Sequence, residues 1–430
     1  MNRDRWGRPL SAGAEAATLW PSYVEQELSY GSRTSESLHA VVDADPTFAV
    51  GRALAALRAR LDEDVTFDVD TERAAMDEGR ADSDWERSWV ATVRAMLSGW
   101  WAAYPQLMRH HERFPDDLVA TGWALFLTSS AAAPDRLDRM ARVIDASAAV
   151  VGEHPFVTGA QAMSAQERHD LDRAHRLAQR VLELSPAHIW GAHPMAHVYL
   201  EGGDHAAGLA WLGGWEVDEH TDRASGFFPH LLWHGALHQL ALGDADGVRA
   251  SYRTIVGADE RARLMDGSSL LWRCQLVGDV PMGSDLAEPT LARTVGRGDE
   301  PSLTTFFGMH RALALATGND ADGLRRLAAD AASWAVPGAA ELLPGLARSL
   351  AAYVESSFAA AADGLLALEP QLVRFGGSHA QREVLEDTLI SALVEAGRFE
   401  EALVRLDERL DRRESRLDRR LVDRADRRPR

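Results

Sequence analysis

Apolar residues along this chain recur at the three-and-four spacing of helices and almost never in the alternation of strands. From Thr34 onward the pattern breaks into segments of roughly 10 to 17 residues punctuated by Gly, Asp or Pro, which predicts short helices joined by tight turns. The clearest stretch runs from Glu167 to Val256. Leu171, Ala174, Leu177, Ala178, Val181 and Leu184 form one stripe closed by Pro186, and the next two segments divide into helix pairs at Gly202–Gly203 and at Gly243. Corresponding points recur at close to 40 residues, a period that signals stacked helix pairs, because one pair alone cannot bury its apolar face.

Further pairs are expected at Leu303 to Asp330, Glu341 to Leu368 and His379 to Leu410. Upstream, Trp85 to Trp101, Tyr104 to Phe114, Leu118 to Ser130 and Asp135 to Val150 read as helices of less regular pairing, for about six to eight pairs in all. The fold class is therefore all-α, an α-α superhelix of tetratricopeptide-like repeats. Residues 1–33 read as an irregular N-terminal arm whose Trp6 and Trp20 dock, residues 34–410 as the superhelix, and residues 411–430 as an Arg-rich tail expected to be a solvated helix extension.

The formal net charge of −19 repels phosphate backbones and anionic lipid, so neither nucleic acid nor membrane is an expected partner. Every basic residue is Arg, which excludes lysine Schiff-base and lysine general-base chemistry. A single cysteine, Cys274, fits a reducing compartment, and without a signal-peptide or membrane-spanning apolar run the expected location is cytoplasmic. No P-loop, GxGxxG strand–helix turn, GxSxG or HExxH occurs, so no cofactor is expected, and Cys274 reads as a core thiol.

Histidines carry the remaining signal. His193 and His197 are four residues apart, as are His230, His234 and His238, so each set forms a stripe on the first helix of successive pairs. Pro194 and Pro229 are expected to mark helix starts, where a ring is kept neutral by the positive end of the dipole. Neutral imidazoles ligate metals, and His193, His197, His230 and His234 are weak metal candidates with Asp266 as a carboxylate. Groove-wall ligand contacts and ordinary structural roles are the alternatives.

In MDGSSLLWRCQL, Asp266, Ser269, Trp272 and Arg273 lie within about two turns, as a binding face or as an Asp266–Arg273 salt bridge. In GGSHAQRE, His379, Gln381 and Arg382 follow a predicted Ser378 N-cap, which suits an anion or a capping box closed by Gln381.

The segments GAHPMAHVYLEGGDHAAGLAWL, PHLLWHGALHQLALGDADGVRASY, LMDGSSLLWRCQLVGDV, FFGMHRALALATG and GGSHAQREVLEDTLISALVEAGRFEEAL together resemble the tetratricopeptide repeat protein 38 family, over Asp45 to Leu410. The resemblance implies an α-superhelix and brings no activity with it. Leu231 stands where the family tends to have Asn, and Gly308 where it tends to have Asp.

The function this suggests is binding of a peptide, protein or small acidic ligand in a concave groove. Its contacts would be His193, His197, His230, His234, Asp266, Trp272, Arg273, His310, His379, Gln381 and Arg382. The alternative is an enzyme, metal-dependent if the histidines ligate, built on the same histidines and Asp266. Equivalent positions of stacked repeats lie side by side, so these residues are expected to converge although they span roughly 190 positions.

Overall fold

A computed structural model describes residues 2–61, 66–278, 280, 282 and 304–427. It is a helical-repeat superhelix, with one two-residue hairpin, Asn2–Arg3 against Pro9–Leu10, at the start. The first eight helices are α1 (Ala14–Leu28), α2 (Thr34–Ala44), α3 (Ala49–Arg60), α4 (Val69–Glu78), α5 (Asp84–Ser98), α6 (Trp100–Arg113), α7 (Leu118–Ser130) and α8 (Arg136–Val151). There follow α9 (Pro155–Glu167), α10 (Leu171–Leu184), α11 (Ile189–Glu201), α12 (His205–Val217), α13 (Phe228–Leu242) and α14 (Ala245–Ala258). One turn at Glu260–Ala262 leads through a π-helical turn, Arg263–Gly267, into α15 (Ser268–Val277). The chain continues as α16 (Thr305–Thr317), α17 (Ala321–Ala331), α18 (Ala339–Val354), α19 (Phe358–Leu368), a 3-10 segment Glu369–Phe375, α20 (His379–Glu395), α21 (Phe399–Arg412) and α22 (Arg416–Arg427).

The repeat is visible in its turns. His169, Gly203, Gly243, Asn319, Ser356 and Gly397 all have positive φ and separate the two helices of a pair. In four of these turns the next residue is an aspartate, Asp170, Asp204, Asp244 or Asp320, whose side chain accepts the N–H three residues on. A left-handed residue ends one helix and an N-capping carboxylate starts the next, with no spare residue between them.

The N-terminal helices also pack in consecutive pairs, α1 with α2, α3 with α4, α5 with α6 and α7 with α8, which the sequence pattern alone did not reveal. Gly99 divides the expected Trp85–Trp101 helix, so Trp100 and Trp101 belong to α6 together with Tyr104. Residues 1–33 are not irregular either. Helix α1 buries Trp20 against Phe48 and Trp85, while Gly13 N–H donates to Asp45 and Ser11 N–H donates to Glu86 at 2.7 Å. The Arg-rich end is α22, not a solvated extension: Asp418 is buried and pairs with Arg409, and Arg413 pairs with buried Glu383.

Long-range bonds close the superhelix on itself. Arg136, at the start of α8, donates to the carbonyls of Val373 and Gly377 at 2.7 and 2.9 Å, and Arg374 reaches back to the carbonyl of Ala132. First helices such as α9, α11, α13, α16 and α20 are buried on most sides, whereas their partners α10, α14 and α17 bury a narrower stripe. No helix among the described residues is long and apolar enough to cross a membrane.

Candidate functional site: an imidazole chamber and its ionic neighbour

Helix α11 starts at Ile189, where the His188 ring accepts the Trp190 N–H, so Pro194 lies in mid-helix rather than at its start. The His193–His197 spacing is thus fully helical. Pro194 has no N–H to offer the Trp190 carbonyl, and α9 approaches that carbonyl so closely that a Cβ on Gly159 would overlap it. Pro229 does lie in the first turn of α13, as expected, and places His230 immediately after it.

Four imidazoles meet between α11 and α13. Ring centroids are 4.8 Å apart for His193 and His197, 4.3 Å for His197 and His234, 5.3 Å for His193 and His234, and 4.9 Å for His230 and His234. His193 Nε2 and His197 Nε2 are 3.1 Å apart. His193, His197 and His234 each offer a nitrogen, all within 4.8 Å of one another, and are the residues that could hold a metal.

His230 is bound differently. Its Nδ1 lies 2.9 Å from Asp266 Oδ1, and both residues are buried. Asp266 sits in the π-helical turn and pairs with His230 while Arg273 pairs with Asp387, so the alternative of an Asp266–Arg273 salt bridge is not formed among the described residues. Single π turns of this kind often lie at functional sites. Trp233 stacks on His230 at 5.2 Å, and the Arg273 guanidinium lies 5.6 Å from the Trp233 ring.

Burial lowers the pKa of three of these four imidazoles. Burial, then the neighbouring imidazoles, lowers His193 and His234 well below the ordinary histidine range. Burial lowers His197 to about 4 despite the opposing charges of Glu201 and Glu167. His310, fully buried on α16 against Phe306, is pushed to about 3 by burial and the charge of Arg273. Neither ring nitrogen of His234 finds a hydrogen-bond partner among the described residues, and neither does His197 Nδ1. Each such orphaned buried nitrogen costs about 1 to 3 kcal/mol.

The chamber has one thin wall. His193 and His230 are each 8% exposed, while His197 and His234 are fully buried. Phe227 lies 4.9 and 5.0 Å from His193 and His230, and Tyr30 stacks on Phe227 at 5.1 Å. Ser225 Oγ donates to the Tyr30 carbonyl and Ser32 N–H donates to Asp222, which ties the α1–α2 turn to the loop before α13. Nothing in the sequence spacing signals this contact between residues nearly 200 positions apart.

His379 and Arg382 do not enter the chamber. They join Glu167, Arg136 and Glu201 in a buried ionic network. Glu167 accepts from Arg136 at 3.0 Å, from Arg382 at 3.1 Å and from the His379 N–H at 2.6 Å. Burial opposes its charge, but the two guanidiniums hold it down to about 2. His379 Nδ1 meets both Glu201 oxygens at 3.1 Å; that hydrogen bond and the Glu201 charge outweigh burial and raise its pKa. Glu201 continues the His193–His197 stripe by one turn, so α11 carries both sites.

The other expected contacts are engaged in the fold. Arg273 donates to Asp387, to Ser269 and to the Ala380 carbonyl. Trp272 donates to Thr388 at 2.9 Å and packs on Tyr353. Ser378 and Gln381 form a reciprocal capping box, as the alternative for that turn expects. Cys274 is a buried thiol pushed up to about 12 by burial. The expected single cluster is thus two adjoining ones, and Arg136, Glu167 and Glu201 are the residues the sequence reading missed. No protein-family model matches this sequence.

Proposed function

We propose that the protein binds a small polar molecule in the imidazole chamber and acts on it with His230 as the oriented proton-accepting group. The observation that carries this is the buried 2.9 Å contact between His230 Nδ1 and Asp266. A carboxylate only accepts, so Nδ1 donates, and in the neutral ring the lone pair is then on Nε2. Pairing an imidazole with a carboxylate that fixes its orientation is how general bases are positioned. Three further neutral imidazoles beside it exceed what packing between two helices requires.

A superhelix of stacked pairs also suits a peptide or protein ligand, in the manner of tetratricopeptide repeats. That reading needs side chains an extended chain can touch, and the chamber imidazoles are at most 8% exposed behind Phe227. Enclosure favours a small ligand. The ordered histidine motifs support kinship with the tetratricopeptide repeat protein 38 family, and the single cysteine supports a cytoplasmic setting.

Equilibrium dialysis of the full chain against a protein-free cell extract, read by mass spectrometry, tests the proposal. We expect one or a few small polar molecules to be retained by the wild type and lost from Asp266→Asn. Retention of peptides alone, equal in both proteins, would overturn it.

A further inference from the structure

We infer that His193, His197 and His234 bind a divalent transition-metal ion of the zinc class. The ion deepens the chamber reading given above, but it is argued from three rings alone and needs no substrate.

The geometry comes first. The three donor nitrogens lie within 4.8 Å of one another, so even at that limit one point lies within roughly 2.8 Å of all of them. Zinc–imidazole bonds are about 2.0 to 2.1 Å long, and small ring rotations cover the difference. Around a tetrahedral ion at that bond length, imidazole centroids lie about 5 Å apart. The observed separations are 4.8, 5.3 and 4.3 Å. Two donors four residues apart on one helix with a third from its neighbour is a common way to build such a site, because the pair is pre-positioned by helical geometry.

The hydrogen-bond account points the same way. Both nitrogens of His234 and Nδ1 of His197 are fully buried without a partner among the described residues. Between His193 Nε2 and His197 Nε2, 3.1 Å apart, only one can donate if they bond to each other. That contact is satisfied by one donor and one acceptor, so the unmet atoms are those of His234 and His197 Nδ1, and a cation between the rings would be contacted by a lone pair from each of the three. The donors are all nitrogen, which suits zinc and its transition-metal neighbours and disfavours magnesium and calcium. His230, held by Asp266 at 4.9 Å from His234, stands beside the three ligands and leaves them as an open-sided set.

The test uses the full chain purified without a polyhistidine tag, stripped with chelator and reloaded. We expect about one zinc ion per chain by elemental analysis, and on cobalt(II) addition the visible absorption of tetrahedral nitrogen coordination. His234→Ala and His197→Ala should each weaken zinc binding more than roughly 100-fold, while His205→Ala, in the separate His205–His238 pair, should not. A folded wild type that takes up no zinc and gives no cobalt band overturns the proposal, even if the variants fail to fold. So does zinc lost from His205→Ala but kept by His234→Ala. Protein that takes up no zinc on reloading yet retains a small molecule would sink the ion and leave the chamber reading standing; zinc bound with no molecule retained would do the reverse.

Discussion

The imidazole chamber and the Glu167 network are both buried, both polar and both anchored on α11, yet they are built on opposite terms. In the network every charge meets its complement: Glu167 receives Arg136, Arg382 and a backbone N–H, and Glu201 receives His379. In the chamber burial lowers the pKa of His193, His197 and His234, and three of their nitrogens meet no partner among the described residues. A buried group that is fully paired contributes to the fold and costs stability when one partner is removed. A buried group left unpaired is a standing cost, retained where something outside the chain completes it. Unpaired buried atoms also occur outside these rings, as at Trp20 and Gln166, so what marks the chamber is that several of them meet on facing rings.

The sharpest way to break the comparison is Glu167→Ala. It strands two buried guanidiniums and is expected to cost about 3 to 5 kcal/mol in denaturant unfolding. A loss below about 1 kcal/mol would mean that the network is not what holds these helices together.

Acid probes the same group. The folded-state pKa of Glu167 is depressed from 4.5 to about 2, so its contribution is present above pH 4.5 and is lost as pH falls towards 2. The stability gap between wild type and Glu167→Gln should therefore shrink by up to about 3 kcal/mol across that window, and a constant gap would contradict the pairing.

His234→Leu tests the other side. In chelator-treated protein, replacing an unpartnered ring by an apolar group of similar size should leave stability unchanged or raise it by about 1 kcal/mol. A loss of 2 kcal/mol or more would place His234 among the structural residues, whereas alanine there would also open a cavity and blur the answer.

The smallest effect is expected at Tyr30, which is 44% exposed above Phe227. Tyr30→Ala should change stability by less than about 0.5 kcal/mol, while measurably speeding the exchange of whatever the chamber retains. Unchanged exchange would show that access lies elsewhere.

Much of this was legible beforehand. The stripes at His193–His197 and His230–His234, their place on first helices and their approach follow from helical period and repeat length, because both act locally and repeat. The partner of Asp266 was not legible, since one π turn shifts the phase of every later side chain and leaves no mark in residue type. Glu167, Arg136 and Glu201 were missed for a different reason. Each is a single charge on an amphipathic helix, indistinguishable in sequence from the solvated charges around it, and only the closure of the superhelix brings them together. Glu201 alone carried a hint, lying four residues beyond His197 on the same face.

Arg136 also sets how the molecule bears load. In an open array each repeat touches only its neighbours, so a pull on the ends peels units off one by one, like beads from a string. Here Arg136 joins the start of α8 to the segment before α20, some 240 residues away, through Val373 and Gly377, and Arg374 answers it with a bond to the Ala132 carbonyl. A pull applied to the two ends is expected to load these bonds before the turns that lie between them, so parting should begin at that clasp and not at an outermost repeat.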